Sequence, residues 1–138
     1  MIETLIVDSW PVMEWLRQRE PARARFAELL DRAERGQIVL QMSRIIRGDL
    51  WYQVARRWGI DVYPQYQSLI ATLPIQIISL DDALVDEAAG LKARFSISYA
   101  DCFAAALAIR QGAPIVTGDP DFLKLETAGL ITVHWLGA

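Results

Sequence analysis

The amino-acid sequence predicts an α/β fold in which a mostly parallel central sheet is covered by helices on both faces. Short apolar runs at 4–7, 75–78 and 114–117 alternate with longer segments whose apolar residues recur every three or four positions. This alternation of strands and helices is typical of parallel sheets. Residues 98–109 are apolar nearly all round, which predicts a helix buried in the core.

Length and composition indicate a single domain over residues 1–138, long enough to bury a hydrophobic core. No apolar run approaches the roughly 18 residues of a membrane span, and the first residues lack the basic start of a signal peptide. The single cysteine excludes an internal disulfide, so we expect a cytoplasmic protein without membrane association. The net charge of −3 provides no bulk attraction to nucleic acid, although a local basic rim can bind it.

The first half of the chain is predicted to contain two strands, each followed by helices. The run 4–7 predicts a buried strand, and Pro11, preceded by Ser9 or Trp10, suits the first position of a short helix. A helix is expected over 21–35, followed by a second strand at 37–41. Ser43 is predicted to cap the next helix, which continues to Trp58 and ends at Gly59.

The second half repeats this alternation. A helix over 64–73 precedes the third strand at 75–78, and Ser79 with Asp82 forms a capping box for a helix to about residue 95. The remaining predicted elements are the buried helix 98–109, a strand at 114–117, a short helix at 120–125 and a last strand at 131–133.

Four acidic residues are candidates for a common site. Asp8 directly follows the first strand and Asp119 the fourth, so the two carboxylates meet at one edge of the sheet if these strands are neighbours. Asp101 lies in the first turn of the buried helix, and Asp49 lies beside the apolar stripe of its own helix. Converging carboxylates repel each other unless protons or a cation lie between them. Because one cysteine and one histidine do not form a usual zinc site, the expected cation is Mg²⁺ or Mn²⁺.

Structural interpretations of the same acids remain open at this point. Ser98 and Asp101 have the spacing of a capping box, and Asp119 before Pro120 suits a helix N-cap. Asp8 fits a turn after a strand, and Asp121 fits a first-turn acid that interacts with the helix dipole.

Four segments together resemble a PIN domain, and more narrowly the VapC-type toxins of bacterial toxin–antitoxin pairs. They are Asp8-Ser9, Ser43 to Asp49, Tyr99 to Ala106 and Thr117 to Phe122. The resemblance implies a three-layer α/β/α sandwich and a Mg²⁺- or Mn²⁺-dependent ribonuclease. It also implies a homodimer and a cognate antitoxin of the VapB type, a segment of which covers the acidic site.

Residue by residue, the resemblance makes Asp8, Asp101 and Asp119 metal-binding acids, with Asp49 in the fourth acidic position. It also implies that Thr117 or Ser9 forms hydrogen bonds within the site and that Asp121 is an accessory acid. In the expected mechanism the metal polarises a phosphodiester oxygen and lowers the pKa of a water, which Asp49 or Asp119 orients or deprotonates.

The chain departs from the family pattern at one acidic position. Such toxins usually have Asn-Leu-Gly-Glu where this chain has Ile46-Arg47-Gly48-Asp49. Asp is one methylene shorter than Glu, a loss of roughly 1.5 Å of reach, and Mg²⁺ tolerates poor geometry badly. Weak metal binding, a preference for Mn²⁺ and near-inactivity are all compatible with this change. The alternative function is therefore a catalytically weak or inactive PIN module that retains RNA or antitoxin binding.

The basic and aromatic residues suggest where partners bind. Five basic residues are candidates for a rim that contacts RNA phosphates, although for most of them a solvated charged surface is the favoured interpretation: Arg44, Arg47, Arg56, Arg57 and Lys124. Single-stranded or looped RNA is the expected substrate class. We expect His134 to be structural, Trp51 and Trp58 to lie at a subunit interface, and the remaining tryptophans, Trp10, Trp15 and Trp135, to pack in the core.

Overall fold

A computed structural model describes residues 2–138, which form a parallel sheet flanked by helices. The strands are β1 (Glu3–Val7), β2 (Ile38–Ser43), β3 (Ile75–Ile78), β4 (Ile115–Thr117) and β5 (Val133–Trp135). The helices are α1 (Ser9–Leu16), α2 (Ala22–Glu34), α3 (Arg44–Trp58), α4 (Tyr63–Ala71), α5 (Asp82–Arg94), α6 (Tyr99–Gln111) and α7 (Asp121–Thr127). A short 3-10 turn at Ile60–Val62 precedes α4. Within the described residues, no helix is long and apolar enough to cross a lipid bilayer.

The strands lie in the order β3-β2-β1-β4-β5, and each neighbouring pair is parallel. In the central strand β1, Leu5, Ile6 and Val7 are buried, as expected for a strand covered on both faces. The predicted α/β/α sandwich with a parallel central sheet is therefore confirmed.

Helix α6 is the buried helix that the sequence predicts. Its residues 101–108 are all buried, and the helix packs against β1 and β2 and along α5. The small alanine side chains of this segment allow neighbouring elements to approach its backbone closely. Because Asp101 stands at the N-terminal end of α6, the packing of this helix brings a carboxylate to the edge of the core.

The start of α5 differs from the prediction. The N-cap is Asp81 rather than Ser79, and the Leu84 backbone N–H donates to Asp81 Oδ1 at 2.8 Å. Asp82 is consequently the first helical residue and not the partner of a serine cap. A carboxylate accepts this hydrogen bond as a charged group near the positive end of the helix dipole, which favours Asp81 as the cap.

The last strand lies two residues later than predicted, and this shift changes the environment of its side chains. Trp135, expected in the core, is 37% exposed because β5 is an edge strand, and His134 is also exposed. Trp10 and Trp15 pack partly buried against the core, in agreement with their prediction.

Candidate metal centre

The sheet topology brings two of the predicted acids to one edge. Strands β1 and β4 are direct neighbours, with Val7 opposite Val116, so Asp8 and the residues after Thr117 leave the sheet side by side. The Asp8 backbone N–H donates to the Val116 carbonyl at 3.3 Å. The chain leaves β1 toward β2 and leaves β4 toward β5, so a change of direction in strand order separates the two strands. Such a switch point is where open parallel sheets bind ligands.

The third acid, Asp101, reaches this edge from α6. Ser98 caps the helix, and its Oγ accepts a hydrogen bond from the Asp101 backbone N–H at 3.1 Å. Ser98 therefore caps α6 as predicted, through the backbone N–H of Asp101. The carboxylate of Asp101 remains directed at the other acids.

Asp8, Asp101 and Asp119 form a tight cluster. One carboxylate oxygen from each lies within 4.8 Å of the other two, and both Asp8 and Asp101 are buried. The cluster lies at the wall of a cleft of about 560 Å³, which Asp49, Asp121 and Ser9 also line.

The hydrogen bonds of Asp8 leave one carboxylate oxygen available. Asp8 caps α1, which begins at Ser9. Pro11 is therefore the third residue of this helix and not the first, as the sequence predicted. Its Oδ2 accepts from the Trp10 backbone N–H at 3.4 Å and from Thr117 Oγ1 at 3.0 Å. Within residues 2–138, no group donates a hydrogen bond to the buried Oδ1. A buried polar atom of this kind is costly without a partner, and an anionic oxygen beside two further carboxylates fits a hard divalent cation.

Burial and mutual repulsion raise the pKa values of two acids in the cluster. Burial, followed by the charge of Asp101, raises the pKa of Asp8 to about 8. Burial, followed by the charge of Asp119, raises the pKa of Asp101 to about 6. Both pKa values are raised, as expected when carboxylates share a site without a counter-charge. A bound cation would lower these pKa values again, because it favours the ionised carboxylates.

Thr117 connects two of the acids. While its hydroxyl donates to Asp8 Oδ2, its Oγ1 accepts from the Asp119 backbone N–H at 3.0 Å. The carboxylate of Asp119 in turn accepts from the Asp121 backbone N–H at 2.9 Å through Oδ1. These bonds connect the loop after β4 to Asp8 and fix the position of Asp119.

Gly118 is required by the packing of this loop. A Cβ atom at position 118 would overlap the indole ring of Trp10, which lies against the backbone there. A larger residue there would force the Trp10 ring to move, so glycine lets the loop pass beneath the ring without displacing it.

Asp49 lines the cleft but lies outside the tight cluster. Its Oδ2 accepts a hydrogen bond from Gln53 Nε2 at 2.6 Å, and the same amide group lies 3.2 Å from Ser9 Oγ. Gln53 was not among the predicted site residues. The signal for it is its position four residues after Asp49, which places both side chains on the same face of α3.

Two further charged residues in the cleft, Glu14 and Arg17, were also missed by the sequence analysis. Arg17 Nη1 lies 3.3 Å from Glu14 Oε1, one helical turn away. Their spacing resembles an ordinary surface ion pair on a helix, and only the packing of α1 beside α3 brings them to the acids.

The basic residues predicted to form an RNA rim occupy different places. Arg56 lines a groove beside the acidic cleft, whereas Arg44 and Arg47 line a separate cavity of about 420 Å³. Lys124 forms an ion pair with Asp121 at 3.1 Å, so its charge already has a partner within the protein. The predicted basic rim is therefore not one continuous surface.

The chain matches a protein-family model and is similar in fold to several solved structures. The family model for the PIN domain matches residues 5–127. VapBC2 from Rickettsia felis, solved with a fragment of promoter DNA, is similar at a TM-score of 0.71 and 14% identity, covering 95% of this chain and 97% of that one. DNA-bound VapBC from Salmonella typhimurium gives 0.70 and 15% identity over 99% of each chain. VapC20 from Mycobacterium tuberculosis, a toxin that cleaves the sarcin–ricin loop, gives 0.69 and 16% identity over 88% of this chain and 94% of that one. A search of curated proteins gave no match.

Proposed function

This chain belongs to the PIN-domain family, and from that premise we propose that it is a Mg²⁺- or Mn²⁺-dependent endoribonuclease that hydrolyses RNA phosphodiester bonds. The observation that carries the proposal is the cluster of three carboxylates at the switch point of the sheet, with Asp8 Oδ1 buried and without a hydrogen-bond donor in residues 2–138. A carboxylate site of this composition suits hard cations and phosphoryl chemistry.

In this proposal Asp8, Asp101 and Asp119 hold the cation. When bound, it supplies Lewis-acid activation of the phosphodiester and of the attacking water. Thr117 orients the Asp8 carboxylate by donating to Oδ2, which leaves Oδ1 free for the metal. Asp49 accepts a proton from the attacking water, and Gln53 holds its carboxylate toward the cleft through Oδ2.

The proposed partners follow from the family and from the surface. Single-stranded or looped RNA is the proposed substrate, and the sarcin–ricin loop activity of VapC20 supports an RNA target for this fold. The VapBC complexes among the similar structures support a VapB-like antitoxin as the inhibitor of the toxin in the cytoplasm. We further propose a homodimer, because exposed aromatic rings such as Trp51, which is 44% exposed, are typical of subunit interfaces.

The proposed activity is tested by incubating the purified protein with mixed RNA in Mg²⁺, in Mn²⁺ and in chelator. We expect cleavage with either metal, none in chelator, and none from an Asp101→Asn variant that binds no metal. The protein must be freed of host nucleases, which the inactive variant, purified in parallel, controls for. Cleavage that survives Asp101→Asn would contradict the proposed site.

Lengthening the fourth acid is expected to raise activity. The Asp49→Glu substitution adds about 1.5 Å of reach toward the three clustered carboxylates, which Asp49 does not join. We expect roughly tenfold faster cleavage at limiting Mg²⁺, in line with the effect of residues that support a metal site. The matched control is Asp49→Gln, which has the same length without the charge and should lower activity. Unchanged or slower cleavage by Asp49→Glu would show that the native Asp49 already has the productive length.

A further inference from the structure

A groove continuous with the acidic cleft carries the opposite charge. This groove, here called the basic groove, has a volume of about 420 Å³ and runs between the C-terminal end of α1 and the second half of α3. Its lining residues are Met13, Arg17, Tyr52, Gln53, Arg56 and Arg57. Of these, Met13, Arg17, Tyr52 and Gln53 also line the acidic cleft. A molecule extended along the basic groove therefore reaches the carboxylates without leaving the surface.

The arginines of the basic groove have unused binding capacity. Within the part of the chain that the structure describes, Arg56 and Arg57 form no ion pair with a carboxylate, and no acid lines the groove. Arg17 contacts Glu14 through Nη1 alone, and its side chain is 26% exposed. A guanidinium has five N–H donors, so each of these side chains has donors left for an anionic ligand.

The basic groove also contains an exposed aromatic ring. Tyr52 is 47% exposed, and the Arg56 guanidinium lies 5.9 Å from the centroid of its ring. An aromatic face next to guanidinium groups is the combination with which proteins bind single-stranded nucleic acid, since bases stack on the ring while phosphates contact the cations. A purely acidic peptide would use the charges but would have no use for the ring.

A protein with a net charge of −3 and a carboxylate cluster needs a local attraction for its substrate. We propose that the basic groove binds the single RNA strand beside the bond to be cleaved, with Arg17 on the nearest phosphate, Arg56 and Arg57 on phosphates further along, and a base stacked on Tyr52. This inference rests on the proposed ribonuclease function, and it names the path that the substrate takes to the site.

The test measures binding of a fluorescent single-stranded RNA by anisotropy, in chelator, so that no cleavage occurs. For Arg56→Gln/Arg57→Gln we expect at least tenfold weaker binding. The plot of log K against log salt should also become less steep, its negative slope shrinking in magnitude by about 1.4, the value for two lost phosphate contacts on a single strand. The matched control is Arg32→Gln/Arg35→Gln, which removes two charges from the end of α2, before β2 begins and hence at the opposite edge of the sheet. We expect this control to bind within about twofold of wild type, because contacts with phosphates act locally.

Two single substitutions test the individual roles. Tyr52→Leu should weaken RNA binding roughly tenfold while Tyr52→Phe retains it, because stacking needs the ring and not the hydroxyl. Arg17→Gln should weaken binding, and in Mn²⁺-supported cleavage it should raise KM more than it lowers kcat. Equal losses from the two arginine pairs, or no loss from Arg56→Gln/Arg57→Gln, would overturn the inference. The inference would also be overturned if these arginines were needed for binding a polyglutamate peptide but not for binding RNA.

Failure of the inference and failure of the proposed function give different results. RNA binding that depends on the basic groove, without cleavage in either metal, would reject the ribonuclease function but retain the groove as an RNA site. Metal-dependent cleavage, together with RNA binding that does not change when the groove arginines are replaced, would reject the basic groove as an RNA site and retain the ribonuclease function.

Discussion

Replacing Asp8 with asparagine is expected to abolish RNA cleavage and, at the same time, to stabilise the metal-free protein. Asparagine retains an oxygen that accepts from the Trp10 N–H and the Thr117 hydroxyl, so the cap of α1 is preserved. It removes the anionic oxygen that we assign to the cation. Loss of several kcal/mol of charge stabilisation in the transition state corresponds to a rate decrease on the order of 10³-fold or more.

The stabilising effect of the same substitution follows from burial. The Asp8 carboxylate is 1% exposed and faces Asp101 and Asp119, so its ionised form is unfavourable without a cation. A neutral amide removes this repulsion and presents donors to the two remaining carboxylates. In chelator at pH 8, the melting temperature of Asp8→Asn should exceed that of wild type.

The control for Asp8→Asn is Asp86→Asn, which neutralises an exposed acid on α5. We expect it to change neither cleavage nor the response to metal. If Asp8→Asn cleaves RNA at more than a tenth of the wild-type rate, or melts below wild type in chelator at pH 8, then Asp8 does not have the role assigned to it.

The stability of the metal-free protein should fall as the pH rises from about 4 to 8. Folding raises the pKa of Asp8 to about 8 and that of Asp101 to about 6, from an ordinary value of 3.8. Between the ordinary and the raised pKa values the folded protein binds more protons than the unfolded chain, so the free energy of unfolding decreases with pH across this window. Below the window both states are protonated and the cost of the charges is absent.

The size of this effect is measurable by thermal denaturation. Each unit of pKa shift corresponds to about 1.4 kcal/mol, so a loss of a few kcal/mol is expected, or a decrease in melting temperature of about 10 °C between pH 5 and pH 8. Mn²⁺ at about 100 times its dissociation constant should restore about 2.7 kcal/mol at pH 8. The same ion should have little effect at pH 5, where protons occupy the carboxylates of Asp8 and Asp101.

Asp8→Asn is the matched control for the pH experiment as well. Without the Asp8 carboxylate, the decrease in melting temperature above pH 6 should be largely abolished, and Mn²⁺ should no longer stabilise the protein. A wild-type melting temperature that is constant from pH 5 to pH 8 in chelator would contradict the charge repulsion argued here.

Local sequence determined the elements and where most of them begin and end. Strand β3 lies at the predicted residues 75–78, and Ser43 and Ser98 cap α3 and α6 as expected, since caps and strand periodicity depend on neighbours within a few residues. The position of Asp8 after β1 and of Asp119 after β4 was likewise visible in the sequence. The double role of Asp101 was not visible in the sequence. Its backbone is bonded by the helix cap and its carboxylate belongs to the acidic cluster, whereas each sequence pattern alone suggests only one of these roles.

Tertiary structure alone decided how these elements meet. The pairing of β1 with β4 joins residues more than a hundred positions apart, and it turns two separate strand ends into one acidic site. The same packing leaves Asp49 outside the cluster, exposes Trp135 on the edge strand, and adds Gln53 and Arg17 to the cleft. Strand pairing and helix packing depend on contacts between distant residues, whereas caps and periodicity depend on adjacent ones. The amino-acid sequence by itself therefore indicated which acids were available, and the fold determined which of them share a site and which oxygen of Asp8 is free to bind a cation.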